Sequence, residues 1–132
     1  MSTNALPPKP GLLEATAILT LISGILHLVA VGSFLVWMLI AGLASFGFAC
    51  LLLPLGCLPL VMGILEVRTA LDLLPQPIRR SEPAKTLAIV QVCLILVGNV
   101  VALVTGIVAL VAYSDATVQG YFAASRTAAP RD

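Results

Sequence analysis

Charge is what this sequence has least of. Seven Lys or Arg and six Asp or Glu make up 10% of its 132 residues, against 60% hydrophobic. An ordinary soluble domain has about a quarter of its residues charged, and a fold this small exposes so much surface that it needs them. The scarcity argues against a water-soluble domain. The net charge of +1 argues against the clustered basic surface that binds nucleic acid. Histidine occurs once. Cysteine occurs three times, as Cys50, Cys57 and Cys93, with no C-x-x-C pair. An odd set in apolar context points to small packing residues rather than a zinc or redox site. No G-x-G-x-x-G, P-loop or H-E-x-x-H motif occurs, so the expectation is a protein that is not an enzyme.

What the chain does have is apolar length. Two blocks, 11–74 and about 84–113, flank a polar hinge at 75–83 that holds Pro75, Pro77 and Pro83 with Arg79, Arg80 and Glu82. Proline stops helices and charge stops insertion, so the hinge reads as an exposed loop. About 20 apolar residues cross a hydrocarbon core, and 87–113 suffices with some tilt. Ser81 is a candidate N-cap, Pro83 suits a first turn, Lys85 can snorkel to headgroups and Tyr113 suits an interface.

The first block is long enough for two spans with a turn near 41–47. Its last stretch, 64–74, carries Glu66, Arg68 and Asp72. With Ile64, Val67, Leu71 and Leu74 on one side, it reads as a helix emerging into water, where Arg68 and Asp72 could pair. Pro54 and Pro59 each remove a helix hydrogen bond, so a kink or a broken helix is expected there.

The leader 1–10, with Pro7, Pro8 and Pro10, reads as extended rather than as a cleaved signal. With three spans, Lys9 falls on the same side as Arg79, Arg80 and Lys85, which the positive-inside rule makes cytoplasmic. Beyond the last span, Ser114 or Asp115 can cap a short helix carrying Val118, Tyr121 and Phe122. Its two aromatics would anchor it on the membrane surface.

Two polar residues stand out within the spans. His27 is a functional candidate by default, because an imidazole in hydrocarbon needs a partner. It could bond a neighbouring helix, handle protons, or ligate a haem or chlorophyll-type metal, with Ser23 leaving room for a macrocycle. Asn99 lies beside a stripe of small residues, Gly98, Ala102 and Gly106, widened by Thr105 and Ala109, which suits close helix packing within or between chains. Residue counting puts His27 and Asn99 at similar depth, so contact between them is expected. Gln91, Asn99 and Thr105 could line a polar seam in an oligomeric transporter or channel.

The run 46–74, the step Gly98-Asn99-Val100 and the close from Ser114-Asp115 to Tyr121-Phe122 look similar to uncharacterised small multi-pass bacterial membrane proteins. That resemblance covers about two-thirds of the chain, implies a bacterial inner-membrane location and transfers no catalytic residue.

The expected fold is an all-α integral membrane bundle of three transmembrane helices (four is the alternative), at 12–40, 46–74 and 84–113. An interfacial helix and tail at 114–132 follow. The expected function is that of a non-catalytic subunit or scaffold, with the lipid bilayer and other transmembrane helices as partners, in a homo-oligomer or a larger complex. Its alternatives are a haem- or chlorophyll-binding accessory subunit using His27, and an oligomeric transporter or channel.

Overall fold

The computed structural model describes residues 6–44, 53–76, 78–80, 82–97 and 99–128. Among them there is no strand. Helix α1 spans Gly11–Ala44, α2 Leu53–Leu73, α3 Lys85–Cys93, α4 Val100–Ser114 and α5 Ala116–Ala128, and a 3-10 turn, Leu94–Val97, extends α3.

Helix α1 starts where Pro10 fixes the chain, and the Pro10 carbonyl accepts from the Leu13 and Glu14 amides at 3.0 and 3.2 Å. Glu14 in the first turn suits the positive end of the helix. At the helical rise α1 is about 50 Å long. Among the described residues it is the one helix that alone is long and apolar enough to cross a membrane. Thr16, Thr20 and Ser33 return their hydroxyls to carbonyls one turn back, so these groups need no outside partner.

Helix α2 runs antiparallel to α1 at glycine distance. A Cβ at Gly24 would stand 2.8 Å from Val67 Cγ2 and 3.0 Å from the Val67 nitrogen, and one at Gly63 would stand 3.1 Å from the Gly24 carbonyl. Of the two prolines expected to kink this segment, Pro54 falls in the first turn, where no helical N–H is required. Only Pro59 lies inside the helix. The start of the expected span 46–74, and Cys50, lie outside the described residues.

The expected span 84–113 is not one helix. A Cβ at Gly106 would stand 2.7 Å from the Ala88 carbonyl and 2.9 Å from Gln91 Cβ, whereas a continuous helix would separate residues 91 and 106 by about 22 Å. The chain folds back between Val97 and Val100, and α3 and α4 pack as an antiparallel hairpin. The physical cause is Asn99, whose Oδ1 accepts from the Ala102 amide at 2.9 Å and so starts a new helix. Ala88, Ala102, Gly106 and Ala109 are all buried and let the two arms close up. Each arm is about 22 Å long, short of the roughly 30 Å of a hydrocarbon core. The small-residue stripe is therefore spent inside the chain, while Gly98 and the candidate cap Ser81 lie outside the described residues.

The hairpin enters from the end where α1 begins and α2 finishes. There Leu13, Ala17, Leu73, Ile78 and Ala84 form a core with Tyr113 and α5. Asp115 does cap α5, accepting from the Thr117 and Val118 amides at 2.8 and 3.2 Å, and α5 turns 71° from α4. Its apolar face is the expected one, but it points into protein. Val118, Tyr121 and Phe122 are buried, and Phe122 meets Tyr113 edge-on at 6.3 Å between ring centroids. The two aromatics are core residues and not membrane anchors, and Tyr113 is buried with them.

Elsewhere the usual distribution is inverted. Thr16, Thr20, Ser23, His27, Glu66 and Gln91 are buried, while Leu35, Val36, Trp37, Leu39, Ile40 and Leu43 stand exposed along the far part of α1.

Candidate functional site

The polar residues of the interior converge where the tip of the hairpin meets the α1–α2 pair. His27 lies on α1, Glu66 on α2, Gln91 on α3 and Asn99 at the start of α4. His27 Nδ1 is 2.9 Å from Glu66 Oε2, and Gln91 Nε2 donates to Glu66 Oε1 at 2.9 Å. Asn99 Nδ2 makes a hydrogen bond with His27 Nε2. The expected meeting of His27 and Asn99 is thus present, and two further residues complete it.

Glu66 is the residue that the sequence pattern misplaces. It is 0% exposed, not part of a helix end in water. Successive helical positions are about 100° apart, so Glu66 and Arg68 face opposite ways. The buried face of α2 is Glu66, Thr69, Ala70 and Leu73, while Ile64, Arg68 and Leu71 point outward. No Arg68–Asp72 ion pair occurs among the described residues, where His27–Glu66 is the one close pair. The i, i+3, i+4, i+7 spacing of that small and polar face was the available signal.

Each polar group expected to line a seam, Gln91, Asn99 and Thr105, has a partner inside the chain. Gln91 serves Glu66, Asn99 serves His27 and the α4 N-terminus, and the Thr105 hydroxyl donates to the Val101 carbonyl at 2.9 Å. His27 has both ring nitrogens engaged. Axial ligation of a haem or chlorophyll would require Nε2 to leave Asn99, so the residues present do not fit that role as they stand. Among the described residues no group of three or more His, Cys, Asp or Glu could hold a metal ion.

Beside the cluster is a cleft of about 250 Å³ lined by Ser23, Leu26, His27, Ala30, Asn99 and Val101. Ser23 is buried, and its Oγ has no hydrogen-bond partner among the described residues. A larger apolar groove of about 520 Å³ runs between α2 and α3 with Cys57 and Cys93 on its wall. Both cysteines are exposed there rather than packed in the core.

The basic residues expected at an interface gather at the end where the hairpin enters. Lys9 donates to the Leu74 carbonyl at 3.0 Å. Burial there lowers its pKa, and Glu14 opposes the shift. Arg80 donates to the Glu82 carbonyl at 3.0 Å and to the Thr69 hydroxyl at 3.4 Å, while Arg79 and Lys85 are exposed. Between Glu14 and Glu66 the chain has no Asp, Glu, Lys or Arg at all.

Comparison of the chain with known protein families, curated proteins and solved structures gives no match.

Proposed function

We propose that the chain is a small non-catalytic membrane subunit or scaffold, embedded through α1 and α2 with the α3–α4 hairpin set into the bilayer from one side. The observation that carries this reading is the inverted interior. A fold that buries Glu66, His27 and Gln91 while exposing Leu, Ile, Val and Trp on its outside has its better solvent in lipid. Lys9, Arg79, Arg80, Lys85 and Arg126 all lie in segments at one end, which supports a cytoplasmic hinge in a bacterial inner membrane. With the α4 stripe consumed internally, the outer face of α1 from Leu35 to Leu43 is one exposed apolar surface open to other transmembrane helices.

Extraction of the tagged chain from its native membranes in mild detergent, followed by mass measurement, tests the proposal. A discrete complex, with defined partners or with further copies, supports it. A single copy of the chain alone, from membranes where it is at native abundance, overturns it. The resemblance to uncharacterised small multi-pass bacterial membrane proteins is of a piece with this reading and adds no activity to it.

A further inference from the structure

The hydrogen-bond pattern of the cluster fixes where its protons are. The Ala102 amide can only donate, so the Asn99 atom facing it is Oδ1. The Asn99 amide group is then turned with Nδ2, which also only donates, toward His27 Nε2. Nε2 must therefore be an unprotonated acceptor, and the imidazole proton sits on Nδ1, donated to Glu66 Oε2. Gln91 donates to the other carboxylate oxygen. Both Glu66 oxygens accept, and among the described residues neither faces an acceptor that could take an acid proton, which is the pattern of a carboxylate beside a neutral His27.

The cluster therefore holds one negative charge at a fully buried position. The other charged groups on the packed elements are Glu14 on α1, Arg68 and Asp72 on α2, and Lys85 on α3. None of them is in hydrogen-bond or ion-pair contact with His27 or Glu66. Tyr113, at the far end of α4, is about 21 Å along the helix from Asn99.

We propose that the Glu66–His27–Asn99 chain is a proton-binding site, in which His27 Nε2 takes up one proton and thereby turns the Asn99 amide away from the start of α4. The added proton makes an imidazolium beside the carboxylate, so the buried cluster becomes neutral overall. Nε2 is now a donor and cannot face Nδ2. Asn99 must present Oδ1 to it, and the Ala102 amide then loses its acceptor. Proton uptake is in this way tied to the turn of the hairpin. The cleft beside His27 adjoins the ring, and Ser23 Oγ on its wall, without a hydrogen-bond partner among the described residues, offers a polar contact for a water there. The inference rests on the geometry of the cluster and stands apart from the question of partners.

His27 is the only histidine, so ¹⁵N-histidine labelling of the full chain in phosphatidylcholine–phosphatidylglycerol nanodiscs reads this one ring. Near pH 8 the expected state is neutral with the proton on Nδ1. On acidification both nitrogens become protonated, and the hydrogen-exchange protection of the Ala102 amide falls in step. A proton on Nε2 at high pH, charging of His27 with no change at Ala102, or an imidazole still neutral at pH 4 would each overturn the proposal.

Asn99→Ser keeps a good N-cap but does not reach His27. In that variant His27 should charge while Ala102 protection stays constant, and persistence of the coupled loss overturns the proposal. Should Asn99→Ser fail to fold, Glu66→Gln supplies the decision. It keeps the size and an acceptor but removes the charge, so proton affinity should fall roughly ten-fold or more, and an unchanged affinity overturns the proposal.

Discussion

The molecule contains two antiparallel helical hairpins, and they are held in different ways. In α1–α2 the helices are long, meet through Gly24 and Gly63, and are joined at the far end by a stretch without charge. In α3–α4 the arms are shorter, about 22 Å against about 50 and 32 Å, meet through Gly106, and turn on a single polar residue. Thr and Ser hydroxyls of both pairs return to their own helix. The amide side chains of the second pair cannot be satisfied this way alone. Gln91 and Asn99 find their partners on α2 and α1, so the short hairpin is completed only by the long one.

The comparison is broken most sharply by topology. Single cysteines at Glu82 and Gln119, in a cysteine-free background, should both react with an impermeant maleimide from the same side of the membrane. Labelling from opposite faces would restore a single span at 84–113 and undo the hairpin.

Next in size is the link between the hairpins. His27→Leu removes the donor to Glu66 Oε2 and leaves that buried oxygen unpaired, which should cost roughly 1.5–3 kcal/mol, read by denaturant unfolding in mixed micelles. His27→Leu combined with Glu66→Leu should recover much of that loss, because the two effects are coupled. Asn99→Leu and His27→Leu should likewise be non-additive, and independent losses would show that the contact does not bind the two parts.

The smallest effects compare glycines. Gly106→Ala drives a Cβ against the Ala88 backbone, which has no flexible end to move, and should cost about 1–3 kcal/mol. Gly120→Ala meets nothing within 4 Å and removes a helix-interior glycine from α5, so it should stabilise by up to about 1 kcal/mol. Equal effects at the two sites, in the same thermal unfolding assay, would mean that α3 and α4 are not in backbone contact.

The helical class and its apolar exterior were legible in composition. So were the start of α5 at Asp115 and the contact of His27 with Asn99. The hairpin was not, because 87–113 contains no proline and no charge to mark a break. Asn99 has the same appearance whether it glues two helices or caps one, and it does both. Glu66 was obscured by its neighbours, since Arg68 and Asp72 lend a surface look to a helix whose opposite side is inside. The aromatic face of α5 was readable as a face, but a 3.6-residue period cannot say whether protein or lipid covers it.

The uncharged stretch between Glu14 and Glu66 also bears on the order of assembly. Each Asp, Lys or Arg carried to the centre of a bilayer helix costs about 2.5–3.5 kcal/mol on insertion scales, and this half of the chain carries none. In the proposed membrane setting α1, α2 and the stretch between them can therefore cross as one unit, ahead of everything C-terminal to them, and halt where Glu66 and the basic hinge remain. The short hairpin must then arrive second, because the groups that Asn99 and Gln91 need do not exist as a pair until α1 and α2 lie side by side.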